Sequence, residues 1–367
     1  KRRREYGLLP AGHLEDNGDW AYWFAVNAYC VAGMLETATA LEDIGHPQAA
    51  QLRAAAEEYR QNLRDSVTRS MERAPVVQMR DGTYAPYVPT RAYQRFRGFG
   101  PMRVQFYSRY GKPDVLPCYR LSATREVLYG PIILLNLGIF SPNEPIAEWV
   151  LDDWEDNLTL SSSGGFNVHG FTDDNYWFSQ GGMVFQPSLQ NPALVYLYRR
   201  EIPAAIRTMY NGFVSCLHPE INTLTEEYRE WKHASGPFYK SPDEARFVNR
   251  VRDALVLEVG DELWLGVGMP RRWLASGPGV QVDRINSYFG SLSFTYKAGA
   301  EPRTVEARIE PPTRNRPART WLYARLPDQA PIASVKINGL PWTQFDLDAE
   351  RIALPPGDGP FHVVIRY

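Results

Sequence analysis

Residues 255–270 read LVLEVGDELWLGVGMP, and at this stretch the spacing of apolar residues changes from helical to alternating. The runs that follow are short, rich in β-branched and aromatic residues, and separated by Gly, Pro and Asp, which is typical of a β-sandwich. The sequence therefore predicts a β-sandwich domain over residues 257–367. Its expected strands are Leu255–Val259, Glu262–Val267, Val280–Ile285, Leu292–Tyr296, Thr304–Ile309, Thr320–Ala324, Ala333–Ile337 and His362–Tyr367.

Upstream of this boundary, residues 1–256 carry helical spacing and predict a helical domain. Asp19–Ile44 and Gln48–Met71 are two long amphipathic segments joined by a tight turn, which predicts an αα-hairpin with Asn17 or Asp19 as the first cap. Residues 74–120 show no sustained period and are expected to form a long loop. Further helices are expected at Ser122–Leu137, Glu144–Leu158, Pro187–Arg199, Ile202–Val214 and Pro242–Val256. With the β-sandwich that follows, the expected fold class of the whole chain is mainly α plus β.

Composition excludes several classes of function. The 367 residues have a net charge of −2, which does not favour a nucleic-acid surface. The three cysteines and six histidines are scattered without a disulfide or zinc spacing, so we expect no metal and no cofactor. The longest apolar run, Val127–Phe140, is too short to span a bilayer, so no membrane insertion is expected. The sequence leaves the cellular location open, with the periplasm or the exterior favoured over the cytoplasm.

The segment Gly164–Lys240 is crowded with amides, aromatic rings and carboxylates that a hydrophobic core does not need. Aromatic rings stack on the apolar faces of sugars, and amides and carboxylates hydrogen-bond sugar hydroxyls. The sequence therefore predicts a carbohydrate site built on loops. The residues expected to bind substrate are Trp20, Trp23, Asn27, Trp177, Gln180, Gln186, His218, Trp231, His233 and Tyr239.

Three acidic groups offer carboxylates for catalysis. Glu15 and Asp16 precede the first long helix, Asp174 lies in an acidic-aromatic group, and Glu226 follows Thr225. Each group also has a simpler explanation, because acidic residues cap helices, bind cations or line a solvated face. Glycoside hydrolysis requires one carboxylic acid and one carboxylate across the scissile bond. The candidate catalytic residues are therefore Glu226, Glu15, Asp16 and Asp174, and the sequence does not decide which two form the pair.

Four passages carry a family resemblance: 7–27, 182–212, 225–247 and 255–274, with YFGSLSF at 288–294 and VKINGL at 335–340 in addition. They resemble the six-hairpin glycosidases, whose catalytic domain is an (α/α)6 barrel often followed by a β-sandwich. The resemblance implies an (α/α)6 toroid of helical hairpins in residues 1–256, with Glu15, Asp16, Asp174 and Glu226 on cleft loops. One position departs from it: related enzymes can carry Trp-Glu-His where this chain has Trp231-Lys232-His233.

Six hairpins need twelve helices, and the sequence offers about seven before the sandwich. We therefore expect that the toroid is partial, and that a second polypeptide or a missing N-terminal segment completes the barrel. The primary interpretation is an inverting glycoside hydrolase acting on a poly- or oligosaccharide. Two alternatives stay open. One is a polysaccharide lyase on a similar toroid, and the other is a non-catalytic carbohydrate-binding or assembly subunit.

Overall fold

The computed structural model forms two compact units, each described here by itself. The first consists of Lys1–Val195 with Arg207–Phe247, and the second of Tyr196–Ile206 with Val248–Tyr367. Both helices and sheets are present, so the predicted mixed α plus β class is confirmed. The residues that the structure describes are 7–14, 17–74, 76–79, 81–93, 130–155, 183–185, 191–218, 220–224, 227–229, 233–235, 241–275 and 278–367.

The first unit, called the helical unit below, contains the predicted αα-hairpin. Helices α1 (Phe24–Asp43) and α2 (Ala49–Met71) pack against each other along their length. Arg53 of α2 ties the two together near the turn, because it donates to Glu42 at 2.5 and 2.6 Å and to Thr39 at 2.8 Å. Helix α1 is also long and apolar enough, by length and composition alone, to cross a membrane. A helix packed inside a protein has the same composition, and α1 buries part of its surface against α2.

The start of α1 differs from the prediction. Asn17–Ala21 forms a strand, β2, which pairs antiparallel with β1 (Gly12–Leu14), so neither Asn17 nor Asp19 caps the helix. Trp23 is the N-cap residue, in an extended conformation and without a side-chain cap. The backbone N–H of Phe24, at the start of the helix, instead donates to the carbonyl of Thr90 at 3.0 Å. A tertiary contact therefore satisfies a helix end that the sequence assigned to a local cap.

The predicted loop at 74–120 contains a short hairpin in its described part. Strands β3 (Val76–Gln78) and β4 (Tyr84–Pro86) pair antiparallel around a turn at Asp81. Two further helices follow, α3 (Ile132–Asn136) and α4 (Pro145–Asp153). Arg64 of α2 anchors the segment between them, because it donates to the carbonyl of Ile139 and to both carboxylate oxygens of Glu144.

The remaining described elements before strand Val256–Val259 are short strands and three helices, parts of which belong to the second unit. Helices α5 (Ala193–Arg199) and α6 (Ile202–Cys216) follow each other directly, and α7 (Ser241–Leu255) leads into the sheets. Strand β5 (Met183–Phe185) precedes α5. Between α6 and α7 lie the strands β6 (Leu217–His218), β7 (Thr223–Leu224), β8 (Glu227–Arg229) and β9 (His233–Ser235).

The second unit, called the two-sheet unit below, contains all eight predicted strands and three that the sequence missed. One sheet has the order β10-β11-β15-β19-β18, with β11 and β15 parallel; the other has the order β12-β13-β14-β20-β16-β17 and is antiparallel. A short helix, α8 (Arg272–Ala275), follows β11. The strands are β10 (Val256–Val259), β11 (Glu262–Leu265), β12 (Val280–Ser287), β13 (Gly290–Ala298), β14 (Thr304–Glu310), β15 (Arg319–Tyr323), β16 (Ser334–Ile337), β17 (Leu340–Trp342), β18 (Phe345–Asp346), β19 (Arg351–Ala353) and β20 (Phe361–Arg366).

One hydrophobic core is shared by the two sheets. Leu263 and Leu322 from the five-stranded sheet cluster with Phe294 and Val363 from the six-stranded sheet. The hydroxyl of Tyr296 is buried in this core and donates to the carbonyl of Ala324 at 2.7 Å, so its polar group is satisfied. The alternation that the sequence showed along these strands therefore corresponds to one face in the core and the other outside it.

Candidate functional site

In sequence, the acidic group at the front of the chain falls between the two strands of a hairpin, β1 and β2. Leu14 of β1 pairs with Asn17 of β2, and Glu15 and Asp16 are the two residues between them in sequence. Both acids lie outside the described residues. On the hairpin, the rings of His13 and Trp20 meet edge to face with centroids 4.7 Å apart, and Trp20 is 72% exposed. The hairpin therefore presents an aromatic ring to solvent, as a sugar platform requires.

Trp23 has a different environment from Trp20. Its side chain is 2% exposed, its indole N–H donates to the carbonyl of Gly12 at 3.2 Å, and the guanidinium of Arg91 lies 5.1 Å from its ring centroid. Trp23 and Arg91 also form an isolated antiparallel bridge. In this structure the ring of Trp23 fastens the hairpin to the start of α1, and it offers no open face for a sugar.

Asn27 is 2% exposed and sits at the centre of a buried hydrogen-bond cluster. Its Oδ1 accepts from the backbone N–H of Leu9 at 2.9 Å and from the hydroxyl of Tyr59 at 2.6 Å, and its Nδ2 donates to the carbonyl of Trp23 at 2.6 Å. These bonds connect α1, α2 and the segment before β1. The contacts of Asn27 are therefore those of a structural residue, and no local pattern in the sequence indicated Tyr59 as its partner.

A three-stranded sheet brings two of the predicted site segments together. Strand β8 lies between β5 and β9, with Phe185 opposite Glu227 and Arg229 opposite His233. The sheet thus joins the segment that ends at 185 to the one at 227–235, although more than forty residues separate them in sequence. Gln186 and Glu226 are the next residues in sequence beside one such pair, and both lie outside the described residues.

A second pair of strands adjoins this sheet. His218 on β6 pairs with Thr223 on β7, and β6 lies beside β9. The Nδ1 of His218 lies 2.9 Å from a carboxylate oxygen of Glu220, whose side chain is exposed. Glu220 was not among the predicted site residues. A carboxylate two positions after a candidate histidine was the only signal for it, and only the turn between β6 and β7 brings the two side chains together.

The structure describes five of the fourteen predicted site residues. Trp20, Trp23, Asn27 and His218 lie as given above, and His233 is placed on β9 by its backbone pairing. Within the described ranges, no group of three or more His, Cys, Asp or Glu side chains could hold a metal ion. The other nine predicted residues lie outside the described residues and stay predictions: Glu15, Asp16, Asp174, Trp177, Gln180, Gln186, Glu226, Trp231 and Tyr239.

Comparison with known proteins gives little further information. No family model and no curated protein matches the chain. Among solved structures, a protein named glycoside hydrolase is similar, with a TM-score of 0.36 and 9% sequence identity over 93% of this chain and 64% of that chain. This chain therefore spans less than two thirds of that neighbour's length. At this level of similarity the likeness carries no argument about fold or activity.

Proposed function

We propose that the chain is a glycoside hydrolase that cleaves a glycosidic bond in a poly- or oligosaccharide by carboxylate acid/base catalysis. The observation that carries the proposal is the sheet β5-β8-β9, in which Phe185 pairs with Glu227. It joins two segments that the sequence had separately assigned to carbohydrate binding. Gln186 and Glu226, an amide and a carboxylate, adjoin that pair in sequence.

The hairpin β1–β2 supports the same proposal from another part of the helical unit. It combines an exposed Trp20 with a two-residue connection made entirely of acids, Glu15 and Asp16. An exposed indole is costly to leave in water and is suited to stacking on a sugar ring. Two acids that adjoin, in sequence, a strand with an exposed aromatic ring have the composition of a saccharide subsite.

In the proposed mechanism, Glu226 and one of Glu15 or Asp16 act as the acid and base, and Asp174 is a third carboxylate of the cleft. One carboxylic acid protonates the leaving oxygen, and the other carboxylate activates a water on the opposite face of the sugar. A separation of about 6.5–9.5 Å between the two groups leaves room for that water and gives inversion. We propose inversion on the strength of the family resemblance.

The experiment compares the chain with its Glu226→Gln and Glu15→Gln variants on a panel of plant and microbial oligosaccharides. Loss of an acid/base group lowers the rate by about 10²–10⁴-fold, so kcat/KM should fall by at least about a hundredfold. Glu227→Gln is the matched control, because it makes the same chemical change one position along and should retain activity. NMR of the first-formed anomer reports inversion. Equal activity in Glu226→Gln and Glu227→Gln would refute the assignment.

The second candidate is a non-catalytic carbohydrate-binding subunit, and Lys232 is the observation that favours it. It stands where related enzymes carry a glutamate between Trp and His. A binding subunit would retain its affinity for oligosaccharide in the Glu226→Gln variant and would show no turnover at any stage.

The same assay detects the remaining alternative, a polysaccharide lyase. If the product absorbs in the ultraviolet as an unsaturated sugar, the reaction is that of a lyase.

We also propose that the helical unit is part of an (α/α)6 toroid, supported by the antiparallel hairpin of α1 and α2. Completion of such a toroid by a second polypeptide or a preceding segment remains a prediction. Native mass spectrometry of the protein from its source tests it. A second chain, or a mass above 41.8 kDa for a single chain, would agree with the proposal, and a stable lone chain of that mass would contradict it.

A further inference from the structure

The two-sheet unit contains a polar cavity that has no part in the proposed glycosidase site. Its volume is about 470 Å³, which falls within the usual range of ligand pockets. The turn between α5 and α6 forms one wall, and β15 with the segment between β18 and β19 forms the other. The polar lining of the cavity includes Arg200, Tyr323, Arg325, Asp346, Asp348 and Glu350.

Arg325 supplies a buried positive charge to this cavity. It is 8% exposed, its Nε donates to the carbonyl of Met269 at 3.1 Å, and its Nη1 lies 3.6 Å from a carboxylate oxygen of Glu350. The same carboxylate already accepts from Arg271 at 2.8 and 2.6 Å. One carboxylate is therefore shared by two guanidinium groups, and the second positive charge is only partly compensated.

The pKa of Arg325 reflects this imbalance. Burial and, to a smaller extent, the positive charge of Arg271 lower it to about 10, and Glu350 offsets only part of the effect. A buried charge without a full partner is costly to the fold. An anionic group bound in the cavity would supply the missing negative charge.

Arg200 brings a second guanidinium from the opposite wall. It is an exposed residue at the turn between α5 and α6, and its backbone adopts φ +61°, a conformation that residues with a side chain rarely take. Its N–H closes the turn by donating to the carbonyl of Leu197 at 3.0 Å.

The cavity also has groups suited to hydroxyls. The carboxylates of Asp346 and Asp348 are hydrogen-bond acceptors on its wall. The pKa of Asp346 is lowered, first by the hydrogen bond from the N–H of Ala349 at 2.9 Å and then by Arg351 and Arg200, so this side chain is an acceptor at neutral pH. Burial raises the pKa of Tyr323 to about 12, so its hydroxyl retains a proton to donate.

The guanidinium, carboxylate and hydroxyl groups of the cavity together distinguish between classes of ligand. An inorganic anion would pair with the arginines, but it would also face three carboxylates and donate no hydrogen bond to them. A neutral sugar would satisfy the carboxylates through its hydroxyls and leave the partly compensated charge of Arg325 unmatched. A sugar that carries a carboxylate meets both requirements, because guanidinium groups bind carboxylates in a bidentate manner and carboxylates accept from hydroxyls.

We propose that this cavity binds an acidic sugar of the uronate class, with its carboxylate on Arg200 and Arg325 and its hydroxyls on Asp346, Asp348 and Tyr323. The two-sheet unit would then carry a saccharide site of its own, distinct in residues from the proposed catalytic site. Such a site would hold the chain on an acidic polysaccharide.

Isothermal titration calorimetry with sodium glucuronate, glucose and inorganic phosphate tests the proposal. The variant is Arg200→Gly, which removes the guanidinium and relieves the positive φ, so the fold is not put at risk. Arg284→Gly is the matched control, because Arg284 is also an exposed arginine of this unit with positive φ and does not line the cavity. A far-ultraviolet circular dichroism spectrum checks each variant's fold.

The expected result is binding of glucuronate at least about tenfold tighter than of glucose, as a charge-assisted pair predicts. Arg200→Gly should weaken it by about tenfold or more, and Arg284→Gly should leave it unchanged. Glucuronate binding should also persist in Glu226→Gln, so failure of this site and failure of the proposed function are distinguishable. Absence of glucuronate binding, equal binding of phosphate, or equal loss in the two arginine variants would overturn the proposal.

Discussion

Replacing Asn27 by alanine separates a structural role from a role in substrate binding. The sequence predicted this amide as a partner for sugar hydroxyls, whereas the structure engages both of its polar atoms in the core of the helical unit. If the buried cluster is the correct description, Asn27→Ala should destabilise the protein before it alters any ligand affinity. The free energy of unfolding is therefore the quantity to measure.

The expected loss can be estimated from the hydrogen bonds. Alanine removes the acceptor for the N–H of Leu9 and for the hydroxyl of Tyr59, both of which are directed at Oδ1 within 2.9 Å. Depriving a buried donor of its acceptor costs about 1–3 kcal/mol. Alanine recovers at most about 0.7 kcal/mol through its better helix propensity. We expect a net loss of about 3 kcal/mol in the free energy of unfolding.

Asn27→Asp adds a pH signature. The introduced carboxylate can still accept from Leu9 and Tyr59, but its second oxygen faces the carbonyl of Trp23, where Nδ2 now donates. Burial and this carbonyl favour the protonated acid, so the pKa in the folded state rises above the unfolded value of about 3.9. Stability is then fully present below about pH 4 and is lost as pH rises, by about 1.4 kcal/mol for each unit of elevation.

The assay is urea unfolding followed by circular dichroism and by tryptophan fluorescence, at about pH 4 and about pH 7. Gln61→Ala is the control, because Gln61 is an exposed residue of α2 that bonds only Asp65 on the same helix among the described contacts, and it should change stability by less than about 0.5 kcal/mol. A loss below about 1 kcal/mol in Asn27→Ala, or a pH-independent loss in Asn27→Asp, would refute the reasoning.

Three further predictions concern other parts of the structure. Glu144→Gln should lower the free energy of unfolding by about 1 kcal/mol at neutral pH. The hydrogen bond from Arg64 lowers the pKa of Glu144, so this stabilisation is lost as pH falls below about 4.5. The free energies of unfolding in urea of the two proteins should therefore converge in acid. Glu350→Gln should cost about 3 kcal/mol in thermal unfolding, since it leaves the guanidinium of Arg271 without its carboxylate, and added salt should restore part of the loss. Trp20→Ala should change stability by less than about 0.5 kcal/mol, because the ring is 72% exposed, while titration shows weaker oligosaccharide binding.

Outcomes that contradict these three are equally definite. A Glu144→Gln difference that persists unchanged in acid would mean that the carboxylate charge is not what Arg64 stabilises. Unaltered thermal stability in Glu350→Gln would mean that the two guanidinium groups are compensated elsewhere. Unfolding of Trp20→Ala well below the parent would show that the indole supports the hairpin instead of presenting a binding surface.

The two-sheet unit was predictable from sequence because a half-buried strand shows its two faces as alternation along the chain. All eight strands with that pattern are present. The three missed strands, β17, β18 and β19, span only two or three residues each, too few for a period to be visible. Strand β17 pairs with β16 directly before it, and β18 pairs with β19 directly after it. Only β19 also pairs with a distant strand, β15, and that contact no local pattern can show.

The start of the first helix shows the opposite case. Apolar spacing extended the helix to Asp19, but pairing of Asn17–Ala21 with Gly12–Leu14 converted those residues into a strand. Helical periodicity describes one segment only, so it does not show that a neighbouring segment can pair with those residues as a strand. The same reason explains why Trp23 looked like a sugar platform: sequence shows that an aromatic ring is present, and only packing shows whether its face is open.

The sequence by itself determined the α plus β class, the αα-hairpin and the alternating strands, because these depend on periods that each segment carries locally. The tertiary structure decided what the polar residues do. It enclosed Asn27 among Leu9, Trp23 and Tyr59, and it joined the segments ending at Phe185 and beginning at Glu227 in one sheet. Hydrogen-bond partners far apart in the chain leave no trace in local spacing, so only the fold can assign them.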